Sequence, residues 1–393
     1  MNEQQSDPFA TLPLARISTG FLPLQLDKYP RGELSTSCGP DEEIFGALSF
    51  YCDVEDAGKK LVRDLTGFEG KQRDDTYDLF QAFIRQGETF FSSARHLQHR
   101  ASPLFYYYAF LNLAKAYIAL RKPDLFAIPL KHGLMYRYEA KSDFNSQVVT
   151  VVEPGVFPEL YELLTGQKLP KPCSFRIVEL LGYLTDISFE YQDAGFGVPY
   201  ILPVRSRVLV SQKSKTVSEL WPVLAVAKRE KLTGRPYALE TLLHAFDEVN
   251  LGKSECERIF HIDAPARLSY RFFQSKRIYH VDDDRNEFGL LRDDARKGVK
   301  LLFMPNVFPN EEDFHFAVPI AEKPTVKIDE FTAGYLIFFY LGSLVRYHPD
   351  YLERILRRRE AWIIRRFTTS CATTLLRHAS ITLLGQNRVF RAR

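Results

Sequence analysis

Two pairs of basic side chains have the chemistry to bind a phosphate or a nucleotide. Arg95 and His99 are four positions apart, so they would share one face of a helix. Arg346 and His348 lie directly after an apolar segment in the C-terminal part of the chain. A guanidinium holds phosphate oxygens through several N–H groups, and an imidazole gains or loses a proton near neutral pH. If the two pairs meet in the fold, they predict a basic pocket.

Asn112 and Lys115 need an explanation because they lie in a segment that is otherwise strongly apolar. A buried polar group without a partner costs about 1–3 kcal/mol, and a buried charge costs more. Both side chains could complete the basic pocket. Alternatively, they belong to a structural cluster that fixes the register of the helices, with Lys115 paired to a carboxylate such as Glu88 or Asp329.

The C-terminal end of the chain is rich in arginine. Residues Arg346–Arg393 include eleven Arg, no Lys and three acidic residues, a net charge of +8, whereas the whole chain carries +3. Arg354, Arg358 and Arg365 have helical spacing and predict a stripe that could follow a nucleic-acid backbone. Trp362 could stack on a base there. Alternatively, these arginines form ordinary solvated helix faces and Trp362 packs into the core.

Other motifs for metal or cofactor binding are incomplete. His96 and His99 could hold a metal, but the nearby sequence supplies no third ligand. The stretch Asp282–Asn286 is similar to a calcium loop, but Glu287 stands where the turn needs glycine. The five cysteines have no CxxC spacing, and no P-loop or Gly-x-Ser-x-Gly motif is present. We therefore expect no metal and no cofactor, and no motif assigns a catalytic residue.

Three segments with helical periodicity would position the basic residues. Asp75–Gln98 is amphipathic, with apolar side chains recurring at spacings of three, four or seven. A second helix starts at Ser102-Pro103 and runs to about Arg121, and a third covers Phe331–Val345. The second holds too many polar residues for a membrane span and the third is too short. We expect core helices and no contact with a membrane.

The middle of the chain mixes short strand-like runs with helical pieces. Among the helical pieces we include Val217–Lys228 and Ala238–Val249. Irregular mixing favours an α+β middle over a parallel βαβ series. The predicted fold class is therefore mainly α with an α+β middle, in which the N- and C-terminal segments form one helical bundle. The expected domains are an irregular lead-in (1–70), an N-terminal helix pair (71–125), a middle lobe (126–325) and C-terminal helices (326–393).

Three segments together resemble the YaaC-like family of bacterial proteins. They are FFSSARHLQHRASPLFYYYAFLNLAKAYI from Phe90, LKHGLMYRY at Leu130–Tyr138, and YLIFFYLGSLVRYHPDYLERIL at Tyr335–Leu356. The tyrosine-rich helix is also similar to the HEPN helical superfamily. The resemblance implies an intracellular bacterial protein tied to RNA cleavage or to defence against phage. Many HEPN ribonucleases carry Arg, four to six residues, then His; none of the nine histidines here has that spacing.

Three functions follow as expectations. The first is a nucleic-acid-linked or nucleotide-binding protein that binds RNA, DNA or a nucleotide through the basic residues, as a component of a phage-defence system could. The second is a non-enzymatic scaffold that docks a protein partner or a second copy of the chain. The third is a divergent HEPN-like ribonuclease. The scattered cysteines and an N-terminus without a signal-peptide pattern favour a cytoplasmic location.

Overall fold

The structure, a computed structural model, describes most of the chain. The described residues are 12–13, 20–23, 31–35, 39–139, 143–212, 218–228, 243–282, 286–297, 302–305, 314–318, 320, 325–385 and 387–391. The chain forms two compact units. The helical unit comprises Tyr29–Tyr200 and Lys323–Arg393, and the sheet unit comprises Met1–Lys28 and Ile201–Glu322.

The helices of the described residues are numbered in chain order. They are α1 (Pro40–Asp53), α2 (Glu55–Thr66), α3 (Gly70–Arg95), α4 (Ser102–Ala119), α5 (Val156–Thr165), α6 (Ile177–Leu181), α7 (Ser188–Asp193), α8 (Lys253–Phe260), α9 (Ala264–Arg267), α10 (Phe288–Lys297), α11 (Glu330–Tyr347), α12 (Pro349–Ile355), α13 (Glu360–Arg366) and α14 (Ala372–Leu384). Short 3₁₀ helices cover Pro123–Ala127, Phe144–Ser146 and Thr185–Ile187, and a π-helical turn, Phe367–Cys371, joins α13 to α14.

The strands are numbered in the same way. They are β1 (Leu12–Pro13), β2 (Gly20–Pro23), β3 (Arg31–Ser35), β4 (Leu134–Tyr136), β5 (Val148–Val151), β6 (Ser174–Arg176), β7 (Ile201–Gln212), β8 (Ser218–Ala227), β9 (Phe246–Asn250), β10 (Tyr270–Ser275), β11 (Tyr279–Val281), β12 (Leu302–Pro305), β13 (Phe314–Ala317) and β14 (Asn387–Arg391).

Helix α4 forms the centre of the helical unit. Its apolar residues face in every direction because α3, α5, α11 and α14 all pack against it. Phe110 of α4 stacks on Phe338 of α11 at 5.4 Å and meets Phe91 of α3 edge-on at 6.1 Å. At its N-terminus, α11 is capped by Asp329, whose Oδ1 accepts a hydrogen bond from the Thr332 backbone N–H at 2.7 Å.

Two small sheets complete the helical unit. Strands β4, β5 and β6 form an antiparallel sheet, and β3 and β14 pair in parallel. The β4 strand lies in the segment that connects α4 with α5, so this sheet fixes the course of that connection.

The sheet unit is built on a long hairpin. Strands β7 and β8 pair antiparallel from Val204 opposite Val226 to Gln212 opposite Ser218. Around them the described strands run in the order β1-β9-β10-β8-β7-β13-β12, with β11 also on β8 and β2 also on β7. Phe260 of α8 packs against Phe272 of β10 at 5.9 Å between ring centroids, within the apolar core of this unit.

The predicted fold class, mainly α with an α+β middle, is confirmed. The predicted helices at Val217–Lys228 and Ala238–Val249 are wrong where the structure describes them, because β8 and β9 occupy those segments. The interior of β8 is buried on both faces, so its apolar residues form a continuous run. Periodicity cannot distinguish such a strand from a buried helix. Residues 238–242 lie outside the described part.

The unit boundaries differ from the expected domains. Residues 126–200, expected in the middle lobe, belong to the helical unit, and the sheet unit begins at Ile201. The expected irregular lead-in contains α1 and α2 between residues 40 and 66. Helix α1 buries Ile44, Leu48 and Cys52 at spacings of four, a pattern that the sequence already carries. Among the described residues, no helix is both long enough and apolar enough to cross a membrane.

A pair of glycine substitutions tests the packing of α1, α2 and α3. A Cβ on Gly58 would lie 2.1 Å from the Tyr51 backbone oxygen and 2.2 Å from the Tyr77 ring, whereas one on Gly46 would meet nothing within 4 Å. We expect Gly58→Ala to lower the free energy of unfolding by about 1–3 kcal/mol through overpacking. Gly46→Ala should raise it by about 0.4–1 kcal/mol through helix propensity.

The measurement is denaturant unfolding of the three proteins, followed by far-UV circular dichroism. Both substitutions add one methyl group within a helix, so each is the control for the other. Equal effects of the two substitutions would contradict the close packing at Gly58.

Candidate functional site

A cavity of about 250 Å³ lies in the helical unit where α11 ends. One wall comes from the first turns of α4, one from the last turns of α11, and one from the segment around β4. The described residues that line it are Leu104, Tyr107, His132, Leu134, Met135, Tyr136, Phe339, Gly342, Ser343, Arg346, Tyr347 and His348. No Asp or Glu is among them.

Arg346 is held in the cavity by tyrosine hydroxyls. Its guanidinium donates hydrogen bonds to the hydroxyls of Tyr108 and Tyr347, and it lies 4.6 Å from the centroid of the Tyr347 ring. No carboxylate pairs with Arg346 among the residues that the structure describes. A neutral hydroxyl orients the guanidinium without cancelling its charge, so the cavity keeps a positive charge.

His132 lines the same cavity as Arg346 and feels its positive charge. Its Nδ1 lies 2.7 Å from the hydroxyl of buried Tyr107, and burial raises the pKa of Tyr107, so that hydroxyl stays protonated. When the hydroxyl donates to Nδ1, Nε2 carries the imidazole proton. Burial lowers the pKa of His132, and the positive charges of Lys115 and Arg346 lower it further.

The backbone around His132 is fixed by the start of α5. The Phe157 backbone N–H donates to the His132 carbonyl at 3.1 Å. Gly133, the next residue, has φ +75°, a conformation that favours glycine. A Cβ on Gly155 would lie 2.1 Å from the Gly133 Cα, so the two backbones touch. These contacts hold the imidazole at the cavity wall.

Lys115 is half-buried on α4 and lies close enough to His132 to lower its pKa. Within the described residues its amine forms no ion pair; the Phe83 ring centroid lies 5.6 Å from Nζ. The two carboxylates that the sequence offered as partners are used elsewhere. Glu88 accepts a hydrogen bond from Ser49, and Asp329 caps α11. Burial accordingly lowers the pKa of Lys115.

His348 lies between α11 and α12 and stacks on Tyr138, with ring centroids 4.1 Å apart and planes at 20°. Arg354 donates a hydrogen bond to the Tyr138 hydroxyl at 2.7 Å, which helps to hold in place the ring on which His348 stacks.

Asn112 does not line the cavity. Its amide donates to the Tyr108 carbonyl one turn earlier at 2.8 Å, within α4.

The first predicted pair, Arg95 and His99, does not line this cavity. Arg95 forms an ion pair with the buried carboxylate of Asp41 on α1, which compensates its charge. The pKa of His99 is lowered by burial and by the nearby charges of Arg365 and Arg100. His99 therefore belongs to a second group of basic residues, which includes Arg100 and Arg365 near the end of α13.

The arginine stripe is interrupted. Helix α12 ends at Ile355 and α13 begins at Glu360, so Arg354, Arg358 and Arg365 do not follow one continuous helix. Arg358 lies in the turn between the two helices and is exposed. Helical spacing therefore does not place these three side chains on one face.

Several cavity residues were missing from the sequence-based site, above all His132, Tyr107 and Tyr136. The signal for His132 and Tyr136 was present in the segment Leu130–Tyr138, which places His132 next to a glycine, and Tyr107 lies in the tyrosine-rich segment of α4. The sequence did not reveal that this segment meets the end of α11, because the two are far apart along the chain.

No group of three or more His, Cys, Asp or Glu side chains among the described residues could hold a metal ion. His96 lies just beyond the end of α3, so it and His99 do not share a helix face. Of the loop that is similar to a calcium site, residues 283–285 lie outside the described part. A cation and an imidazole without a carboxylate suit an anion instead.

The pKa of His132 offers a direct test of this electrostatic arrangement. Removing a neighbouring positive charge favours the protonated imidazole, so Lys115→Met and Arg346→Gln should each raise the pKa of His132. Burial remains in both variants, so the pKa should stay below its ordinary value. The measurement is NMR titration of the histidine ring signals, with exposed Arg63→Gln as the control. An unchanged pKa in both variants would contradict the coupling.

Comparison with known proteins gives one match. The family model described as YaaC-like Protein matches residues 59–383, which is most of the chain. No curated protein matches the chain. No solved structure matches it either. The matched range includes α4, the segment around His132 and α11, the three elements that form the cavity. The chain therefore belongs to the YaaC-like family.

Proposed function

We propose that this protein binds RNA, DNA or nucleotides through their phosphates, and that the cavity at the end of α11 is the phosphate site. The observation that carries the proposal is the combination of uncompensated Arg346 with His132 in a cavity whose described lining contains no carboxylate. A phosphate would supply the negative charge that this site lacks.

The aromatic side chains support a nucleotide over a simple anion. Tyr347 lines the cavity beside Arg346 and is 62% exposed, so its ring presents a face on which a base could stack. Stacking on an aromatic ring depends little on base identity, so we expect weak sequence preference. The second basic group, around His99 and Arg365, could extend the contact to further phosphates.

Binding to single-stranded RNA should weaken steeply with salt. For single strands the logarithm of the binding constant falls with the logarithm of the salt concentration, with a slope of about −0.7 for each phosphate neutralised. Arg346→Gln should weaken binding and make the slope shallower by about 0.7, the contribution of one phosphate contact. The measurement is fluorescence anisotropy of labelled RNA over a salt series.

Arg63→Gln is the matched control, because it removes the same charge from α2, a helix that contributes no residue to the cavity lining. It should leave the slope unchanged. Absent binding, or binding that does not respond to salt, would refute the proposal.

A divergent ribonuclease is a second candidate, and the placement of His132 favours it. An imidazole that is neutral near pH 7 can accept the proton of a 2′-hydroxyl while Arg346 holds the phosphate. This candidate predicts RNA cleavage that is lost in His132→Ala or His348→Ala and kept in the control His96→Ala, measured with end-labelled RNA. Unchanged cleavage in both cavity variants would remove it. The scaffold role and the role in phage defence stay predictions.

A further inference from the structure

The size of the cavity limits what can enter it. About 250 Å³ is below the roughly 300–1,000 Å³ of pockets that enclose drug-sized ligands. It is therefore too small to enclose more than one nucleotide residue. Helices α4 and α11 are also in contact beside it: a Cβ on Gly342 would lie 3.4 Å from the Leu104 Cα and the Tyr107 Cβ. A strand cannot pass between the two helices at this point.

The charge of the site favours a phosphate monoester over an internal phosphodiester. An internal phosphodiester carries one negative charge, whereas a monoester carries about −1.5 to −2 near neutral pH and offers three terminal oxygens. Arg346 lines the cavity, and Lys115 lies outside the lining but near enough to lower the pKa of His132; neither pairs with a carboxylate among the described residues. Arg346 uses two of its N–H groups on tyrosine hydroxyls, which leaves others for a ligand.

The apolar part of the lining favours a nucleotide over inorganic phosphate. Leu104, Leu134, Met135 and Phe339 line the cavity together with the polar groups. Inorganic phosphate would leave these side chains without a partner. A ribose and a base attached to the phosphate would cover them.

Resting on the proposed function, we infer that the cavity binds one nucleotide residue that carries a terminal phosphate monoester, and that an internal phosphodiester of a continuous strand is not its ligand. A free mononucleotide and the phosphorylated end of a strand share this chemistry. Recognition of the end would make the protein sensitive to how an RNA had been cut or processed.

The experiment compares one short RNA sequence made with a 5′-phosphate, with a 3′-phosphate, or with hydroxyls at both ends. We expect one phosphorylated form to bind at least about tenfold more tightly than the hydroxyl-ended form, because charge-assisted hydrogen bonds are among the strong ones. AMP, with its phosphate on the matching position of the ribose, should compete with that form, and adenosine should not.

Arg346→Gln should abolish the preference, and Arg63→Gln should preserve it. Lys115→Met is a second variant, which removes the other positive charge near His132 and leaves the tyrosine contacts of Arg346 in place. It should weaken the preference for the phosphorylated end. Circular dichroism of each variant confirms that it is folded.

Three results would overturn the inference. If phosphorylated and hydroxyl-ended RNA bind with equal affinity, and Arg346→Gln weakens the binding of both, the proposed function stands and only the preference for a phosphorylated end is refuted. A preference that survives in Arg346→Gln would place the recognition outside this cavity. Failure of every RNA and of AMP to bind would refute the proposed function as well.

Discussion

The helical unit depends on the enclosure of one helix. Helix α4 exposes almost no apolar surface to solvent because four other helices cover it, and aromatic rings such as Phe110 and Phe338 interlock across these contacts. Covering α4 on every side forces α11, which comes from the far end of the chain, to lie directly against it. The cavity forms where this packing ends, at the last turns of α11.

The partner of each cation determines what its charge can do. Arg95 is paired with the buried carboxylate of Asp41, so its charge is compensated within the fold. Arg346 instead contacts the hydroxyls of Tyr108 and Tyr347, which orient it and leave its charge available. The tyrosine-rich character of this region therefore has a physical role: it supplies neutral partners that hold an arginine for an incoming anion.

Sequence patterns predicted the helical elements better than the strands. The periodicity of α3 and the apolar runs of α4 and α11 are long, and long periodic segments are the most reliable signals. Strand β8 was taken for a helix because both of its faces are buried, which removes the alternation that marks a half-buried strand. Helix α2 was missed because half of its residues are charged and it buries only Gly58 and Val62.

Composition and spacing alone established a mainly helical chain, identified its two apolar helices, showed that Asn112 and Lys115 needed partners, and marked Arg346 as a candidate phosphate-binding residue. Which partners they have depends on folding. Arg346 and Tyr108 are 238 positions apart, and local periodicity carries no information over that separation. The same limit hid His132, whose environment is created only when the segment after α4 meets the end of α11. Burial and the neighbouring positive charges then lower the pKa of His132.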